Sequence, residues 1–257
     1  MSAPTKTILF LGATGGSGFS ALRRSIAAGH SCIALCRTPS RLTDKLPESQ
    51  RNAPNLRIEQ GNAVDVDALA RCLVRSDSPD GPASLVDAVV FTIGGAFDLK
   101  NMSNDQPHIC EHGMDALVTA LRAARSKAAA AAPAAGGPTI IAVSTTGMSD
   151  HGRDYPLSLW PIYGVMLKQP HKDKTAMEAL VFGSGEAFTV VRPSLLTDGD
   201  ESSKPIRVGV EDPKAHKLES KEVGYNISRE DVGKWIFDNL LAGDARRWTD
   251  KVVSITY

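Results

Sequence analysis

The sequence predicts an α/β fold in which a doubly wound parallel sheet of about seven strands carries helices on both faces. Two observations lead to this prediction. Short apolar runs alternate with helically spaced segments along the whole 257-residue chain, and this alternation is typical of right-handed strand–helix–strand crossovers. Several of the runs also lack polar alternation, which is typical of strands that are buried on both faces.

The predicted strands and helices follow one another in a regular order. The apolar runs of strand length comprise residues 7–11, 32–36, 56–60, 85–92, 139–144, 188–192 and 252–256. Helical spacing marks residues 17–29, 65–76, 108–128, 172–185 and 228–243. Ser228 is predicted to begin the last helix, because Ser228 and Asp231 match the serine-x-x-acid pattern of a capping box.

Three segments interrupt this order. Residues 76–84 are predicted to form a surface loop, and residues 128–138 a helix tail that ends in a flexible connection at Pro133. Residues 197–226 are polar and turn-rich, so we expect them to leave the sheet and form a small lid or C-terminal substrate lobe. Residues 1–257 are otherwise predicted to form a single domain.

Composition excludes several classes of protein. The 29 basic side chains balance the 29 acidic ones, so no net charge favours a nucleic acid or an anionic membrane as partner. The four cysteines do not suggest a disulfide framework, and no cysteine–histidine cluster completes a zinc set. The N-terminal residues lack a leader pattern, and no stretch approaches the ~20 apolar residues of a membrane span. We therefore expect a cytoplasmic protein without a metal site.

A glycine-rich turn stands directly between the first predicted strand and the first predicted helix. Gly12, Gly15 and Gly18 give the spacing G-x-x-G-x-x-G. At such a turn the first glycine permits the tight bend, the second lets a pyrophosphate approach the backbone, and the third lets helix and strand pack closely. The pattern favours a Rossmann-type dinucleotide site over an ordinary glycine-rich turn. The predicted cofactor contacts here are Gly12, Thr14, Gly15, Gly16, Ser17, Gly18 and Phe19.

The end of the second predicted strand indicates which dinucleotide binds. Sites for NAD usually carry an aspartate or glutamate there, which binds the ribose 2′-hydroxyl. This chain has Arg37 instead, with Arg41 following. A guanidinium suits a 2′-phosphate and can stack on adenine, so NADP(H) is favoured over NAD(H). A solvated surface arginine is the alternative interpretation of Arg37.

Motifs along nearly the whole chain resemble those of the atypical short-chain dehydrogenase/reductases. They are "GATGGSG", "LCRTPSRL", "GNAVD", "AVSTTG", "TVVRPSLLTDG" and "ISREDVGKWI", in that order. The most similar branch is the NAD(P)H-binding, NmrA-like and flavin/biliverdin-reductase-like group. The resemblance implies further cofactor contacts at Asn62 and Ala63 beside adenine, at Thr92, Ile93, Gly94 and Gly95 beside the ribose and nicotinamide, and at Pro193, Ser194 and Leu195 beside the carboxamide.

The same resemblance leaves the catalytic residues incomplete. Typical reductases of this superfamily use a serine or threonine after the fifth strand and a Tyr-x-x-x-Lys pair on the next helix. Ser144 occupies the first position and Lys174 fits the lysine, where it would also hold the nicotinamide ribose, but the tyrosine position holds Pro170. Tyr163 is a candidate substitute, with core packing as the alternative. His171 is a candidate proton donor near neutral pH.

These residues predict an NADPH-dependent reductase acting on a small planar or conjugated substrate. Hydride transfer to such an acceptor needs no tyrosine acid, because water can supply the proton. Two other functions stay open: a dinucleotide-binding redox sensor without turnover, and a redox-neutral isomerase or cyclase. The expected partner is a small-molecule substrate, and a homodimer stays open.

Overall fold

The computed structural model of the protein describes residues 4–75, 84–95, 97–98, 103–104, 106–131 and 137–257. Most of the predicted loop 76–84 and the predicted break at Pro133 lie outside these residues. The strands are β1 (Thr7–Leu11), β2 (Ser31–Cys36), β3 (Leu56–Gln60), β4 (Val74–Arg75), β5 (Ser84–Leu85), β6 (Ala88–Phe91), β7 (Phe97–Asp98), β8 (Ser103–Asn104), β9 (Thr139–Val143), β10 (Phe188–Pro193), β11 (Leu195–Thr197), β12 (Arg207–Asp212), β13 (Lys217–Ser220), β14 (Asn226–Ser228) and β15 (Lys251–Thr256).

Helices connect the strands and cover the sheet. They are α1 (Gly16–Ala27), α2 (Ser40–Thr43), α3 (Glu48–Arg51), α4 (Val66–Leu73), α5 (Ile109–Ala131), α6 (Lys168–Phe182) and α7 (Arg229–Ile236). A π-helical turn, Ile162–Met166, precedes α6, and another, Phe237–Leu241, extends α7. Each predicted helix therefore corresponds to an observed one.

The described strands include one nine-stranded sheet with the order β13-β12-β15-β10-β9-β6-β1-β2-β3. All seven predicted strands lie in it and pair in parallel, which confirms the α/β fold class. β1 pairs with β2 on one side and with β6 on the other, so the chain order reverses at β1. Ligands of doubly wound sheets bind outside the carboxyl ends of the strands at such a point.

The segment 197–226 differs from its prediction. β12 and β13 do not leave the sheet but extend it, because β12 pairs antiparallel with β15 and β13 pairs with β12. Ile206, Val208 and Val210 alternate with other residues and pack on the core, which is the period of a half-buried strand. Strands β11 and β14 lie outside this sheet and form a separate parallel pair.

The core lies on both faces of the sheet, as the unalternating apolar runs predict. Along β1, Leu9 and Leu11 pack into one cluster with residues of α4, α5 and α6, while Ile8 and Phe10 pack into the other with residues of α1 and α7. All four side chains are fully buried. This two-sided burial fixes β1 and, with it, the turn that follows.

Candidate active site

A cavity of about 760 Å³ opens at the carboxyl ends of β1, β2, β6, β9 and β10. Its size is typical of ligand sites. The cavity wall brings together most of the residues that the sequence singles out: Gly12, Thr14, Gly15, Gly16, Ser17, Arg37, Arg41, Asn62, Ala63, Thr92, Ile93, Gly94, Gly95, Ser144, His171, Lys174, Pro193, Ser194 and Leu195. Gly18, Phe19 and Tyr163 are not in the wall.

The glycines of the turn have different surroundings. Gly12 has a φ of +91°, and a Cβ there would lie 2.7 Å from Thr92 Oγ1. A Cβ on Gly18 would lie 2.3 Å from the same oxygen and 2.7 Å from the Gly12 carbonyl oxygen. Gly18 therefore allows helix and strand to pack, as the third glycine of this motif should. A Cβ on Gly15 would meet nothing within 4 Å, so this position borders open space.

The start of α1 suits an anion. Gly15 is the N-cap and has no side chain to accept hydrogen bonds from the first-turn amides, and the first turn contains no acidic residue. The first amides of a helix have no carbonyl partner within the helix, and the helix dipole adds partial positive charge there. A phosphate at this point would receive both contributions.

Basic side chains surround the end of the cavity beside β2. Arg37 and Arg41 are exposed and line the wall. Lys45 follows Arg41 by four residues, as Arg41 follows Arg37. Its Nζ donates to the Thr14 carbonyl oxygen at 2.7 Å. Sequence reasoning missed Lys45, although its spacing from Arg41 was a usable signal. The wall here is electropositive although the chain as a whole is neutral.

Asp173 is the one carboxylate among the described residues of the wall. Its two oxygens accept the backbone N–H groups of Cys110 and Glu111, at 3.1 and 2.8 Å. Asp173 therefore caps α5 from its place on α6, and both of its oxygens are occupied by α5 amides. The described wall residues carry this one carboxylate and four cationic side chains, those of Arg37, Arg41, Lys174 and Arg229.

At the opposite end of the cavity, Lys174 forms hydrogen bonds with the backbone just after β6 and at the end of β9. Its Nζ donates to the carbonyl oxygens of Ile93 and Val143, at 3.0 and 2.8 Å. An ammonium group has three donors, and the third reaches only the Met177 sulfur, a weak acceptor, at 4.0 Å. One N–H of Lys174 is thus easily redirected. Pro170 lines the same wall and supplies no acidic proton.

Two buried polar atoms of this end of the wall have no hydrogen-bond partner. They are Oγ of Ser144, which is 4 % exposed, and Nε2 of His171. Burial lowers the pKa of His171, and a backbone hydrogen bond at Thr146 partly opposes that effect. The imidazole is therefore mostly neutral at pH 7. Buried polar groups normally have hydrogen-bond partners, so both atoms are free to bond a ligand or a water that enters the cavity.

Tyr163 lies in the core beside the cavity. Its ring stacks on that of Tyr155, with centroids 4.1 Å apart, and its hydroxyl shares a hydrogen bond of 2.8 Å with Thr146 Oγ1. The π-helical turn Ile162–Met166 carries the side chain inward, where it is 3 % exposed. Burial raises the pKa of Tyr163, which makes ionisation harder.

A buried ion-pair network fixes the helix that carries Lys174 and His171. Arg192 on β10 donates to Glu178 Oε2 on α6 at 2.6 Å and to Glu211 Oε2 on β12 at 3.2 Å. Removing one partner of such a pair leaves an uncompensated buried charge. Helix α6 is consequently held against the sheet close to the cavity wall.

Comparison with known proteins identifies the family. The model of a family described as NAD(P)H-binding matches residues 12–242. The chain belongs to this NAD(P)H-binding family. Reductase pytE of Aspergillus terreus is 40% identical, and the alignment covers 100% of both chains. Oxidase pynE of Aspergillus niger is 33% identical over 100% of this chain and 99% of the relative.

Solved structures agree on the fold. A wide-type short-chain dehydrogenase/reductase from Veillonella parvula, solved in complex with NADP, superposes with a TM-score of 0.69 at 17% identity, covering 99% of this chain and 95% of that one. Together these findings confirm the resemblance to the atypical short-chain dehydrogenase/reductases. The chain is accordingly an oxidoreductase-type member of the NAD(P)H-binding family that uses a nicotinamide dinucleotide.

Three remaining features are the potential metal ligands, the cysteines and the helices. Among the described residues, no group of three or more histidine, cysteine and acidic side chains is placed to hold a metal ion. The four cysteines are free and buried. Burial raises the pKa of Cys36 and of Cys110, both in the cavity wall, to about 11, so these thiols are unreactive. No helix in the described part of the chain combines the length and the apolar character needed to cross a membrane.

Proposed function

We propose that this family member is an NADPH-dependent reductase of a small, planar or conjugated acceptor. The observation that carries the proposal is the continuity of the cavity. It joins an uncapped helix start and basic side chains at one end to Lys174 and the unpartnered Ser144 Oγ and His171 Nε2 at the other. When bound, NADPH supplies a hydride at the second end.

The chain's own groups would hold the dinucleotide along this path. The first amides of α1 receive the pyrophosphate, and Gly15 leaves the space for its approach. Arg37 and Arg41 receive the 2′-phosphate, since planar guanidinium groups match its oxygens. Lys174 turns its third N–H to the nicotinamide ribose and keeps its two carbonyl contacts.

The remaining wall favours a flat, largely apolar substrate. Ile109, Leu167, Pro170, Leu195 and Leu196 give this end of the cavity an apolar surface. The Ser144 hydroxyl donates a hydrogen bond to a substrate oxygen and polarises the conjugated system. Since Tyr163 lies outside the wall, no phenol protonates the product, which suits an acceptor whose reduced form takes its proton from water or from His171.

Transfer of label tests the reaction. NADPH carrying deuterium at the transferable C4 position is incubated with a panel of quinones, flavins and enones, and the products are examined by mass spectrometry. We expect label in at least one product, together with steady loss of NADPH absorbance. A protein that binds NADPH but transfers label to no acceptor would support the sensor, and product formation without NADPH consumption would support the isomerase or cyclase.

Arg37→Ala is expected to reduce the preference for NADPH over NADH. One charge-assisted hydrogen bond contributes about 1.5–3 kcal/mol, so the preference should fall by roughly ten- to a hundredfold. Calorimetric titration with both dinucleotides measures it, and NADH affinity should stay unchanged. Arg246→Met, an exposed arginine outside the cavity wall, is the matched control. Equal affinities of the wild-type protein for both dinucleotides would contradict the role of Arg37.

His171→Gln is expected to change the pH dependence of turnover if His171 delivers the proton. Donation requires the imidazolium, and burial lowers the pKa of His171 below its usual 6.5. The wild-type rate should therefore rise as pH falls through that lowered pKa, and the variant should lack this rise while matching the wild type at pH 8. Turnover from pH 5 to 9 measures it, with the exposed His112→Gln as control. An unchanged acid limb in His171→Gln would identify water as the proton source.

A further inference from the structure

Gly16 serves a different structural purpose from Gly12, Gly15 and Gly18 of the same turn. It lies outside the G-x-x-G-x-x-G pattern and has a φ of +42°. A Cβ at this position would lie 2.5 Å from Cδ of Arg229 and 3.2 Å from its Cγ. The methylene chain of Arg229 therefore runs directly across the glycine turn, and the absence of a side chain at Gly16 makes room for it.

The guanidinium of Arg229 has only a weakly held partner. Nη1 donates to Oδ1 of Asp198 at 2.7 Å, but the Asp198 carboxylate is 92% exposed and the Arg229 side chain 37%. Ion pairs this open to solvent add little to stability, because water screens them and their side chains stay mobile. Arg229 itself lines the cavity. Its charge is thus available to an anion that enters there.

The backbone of Arg229 is fixed relative to the turn. Ser228 caps α7 by accepting the Asp231 N–H at 3.0 Å. Helix α7 packs tightly on α1, since Ser20 Oγ donates to the Glu230 carbonyl at 2.9 Å and a Cβ on Gly233 would lie 2.5 Å from the Ser17 carbonyl oxygen. The first residue of α7 is therefore held close to the first turn of α1.

The cofactor pyrophosphate needs a cation in the wall beside the glycine turn. Among the described residues of the wall, Arg37 and Arg41 lie at the adenosine end and Lys174 at the nicotinamide end. The amides of α1 offer hydrogen bonds but no formal charge, whereas a pyrophosphate carries two negative charges. Lys45 is not in the wall, and its ammonium group already donates to the Thr14 carbonyl oxygen of the turn. Among the described wall residues, Arg229 is the one that brings a full positive charge to the glycine turn.

We propose that Arg229 is a ligand of the cofactor pyrophosphate, exchanging the Asp198 carboxylate for a phosphate oxygen when the dinucleotide binds. The assignment rests on the proposed dinucleotide site. It makes α7, at the far end of the sequence, part of the phosphate site that β1 and α1 begin. Asp198 is the resting partner of the arginine and competes with the phosphate for it.

Three ligands separate this role from that of Arg37. NADPH carries both a pyrophosphate and a 2′-phosphate, NADH carries the pyrophosphate alone, and adenosine 2′-monophosphate carries the 2′-phosphate alone. We expect Arg229→Met to lower the affinity for NADPH and for NADH by a similar factor of about ten, as for loss of one charge-assisted hydrogen bond. Its affinity for adenosine 2′-monophosphate should not change. Arg37→Ala should lower the affinity for NADPH and adenosine 2′-monophosphate and leave that for NADH unchanged.

Methionine keeps apolar atoms over Gly16 and removes only the charge, so the melting temperature of Arg229→Met should match that of the wild type. Asp198→Asn should tighten NADPH binding, because the competing carboxylate is gone. The control variant Arg246→Met should bind NADPH and NADH with wild-type affinity. Wild-type affinity for NADPH and NADH in a folded Arg229→Met protein would overturn the assignment of Arg229 alone. Failure of the wild-type protein to bind either dinucleotide would instead overturn the proposed function, and the assignment with it.

Discussion

Gly15→Val is expected to give a folded protein that no longer binds a nicotinamide dinucleotide. The backbone of Gly15 is extended, with φ −141° and ψ 149°, a conformation that valine adopts without strain. A Cβ there meets nothing within 4 Å, so the fold tolerates the side chain. The isopropyl group would instead fill the space through which a pyrophosphate reaches the α1 amides. We expect the dissociation constant to rise by at least about a hundredfold, equivalent to about 2.8 kcal/mol.

The measurement pairs circular dichroism with a fluorescence titration of NADPH. Gly18→Val is the informative control, because the same side chain would there lie 2.3 Å from Thr92 Oγ1, inside the packed junction of helix and strand. Overpacking of this kind costs about 1–3 kcal/mol, so this variant should lose thermal stability. Normal NADPH binding by a folded Gly15→Val protein would mean that the turn serves packing alone.

Lys174→Met is expected to lower turnover by about a hundredfold, the loss that a 1 Å misplacement of a reacting group produces. In the proposed site Lys174 is the cation, among the described wall residues, at the nicotinamide end, and its position is set by the carbonyls of Ile93 and Val143. Without it the nicotinamide ribose loses its support, whereas the phosphate contacts remain. The effect should therefore fall on kcat much more than on the dissociation constant of NADPH.

Lys172→Met, an exposed lysine on the same helix and outside the cavity wall, is the matched control and should retain full turnover. Since Lys174→Met also leaves two carbonyls without a donor, its melting temperature is measured and turnover is assayed well below it. Equal losses in both variants, or a loss of NADPH affinity as large as the loss in kcat, would contradict a positioning role. Tyr163→Phe should change turnover much less, because the phenol lies outside the wall.

Local signals made much of this molecule predictable. The strands of the parallel sheet have apolar runs that can be recognised without knowing their partner strands. The glycine spacing is also a local pattern, since all three glycines lie within seven residues, although Gly12 and Gly18 pack against the distant Thr92. Residues brought together over long distances in sequence have no such signal. Arg229 crosses Gly16 from the far end of the chain, and Asp173 caps α5 from α6 rather than the start of its own helix.

Two further differences have the same origin. The alternation of Ile206, Val208 and Val210 was a usable strand signal, but the polar residues around it obscured the pattern, and only the free edge of β15 shows where the strand belongs. Tyr163 lies near the lysines in sequence, yet the π-helical turn points it at Thr146 and Tyr155. Neither outcome follows from spacing alone.

The charges on the two outermost strands of the sheet bear on the behaviour of the protein at high concentration. β13 presents the exposed side chains of Lys217 and Glu219 at one edge, and β3 presents the Arg57–Glu59 pair, with Nε and Oε1 3.3 Å apart, at the other. An exposed strand edge is a template for pairing with another molecule, and charged side chains oppose that pairing. We therefore expect neither edge to add a strand from a neighbouring molecule, so that aggregation by sheet extension is resisted at both ends.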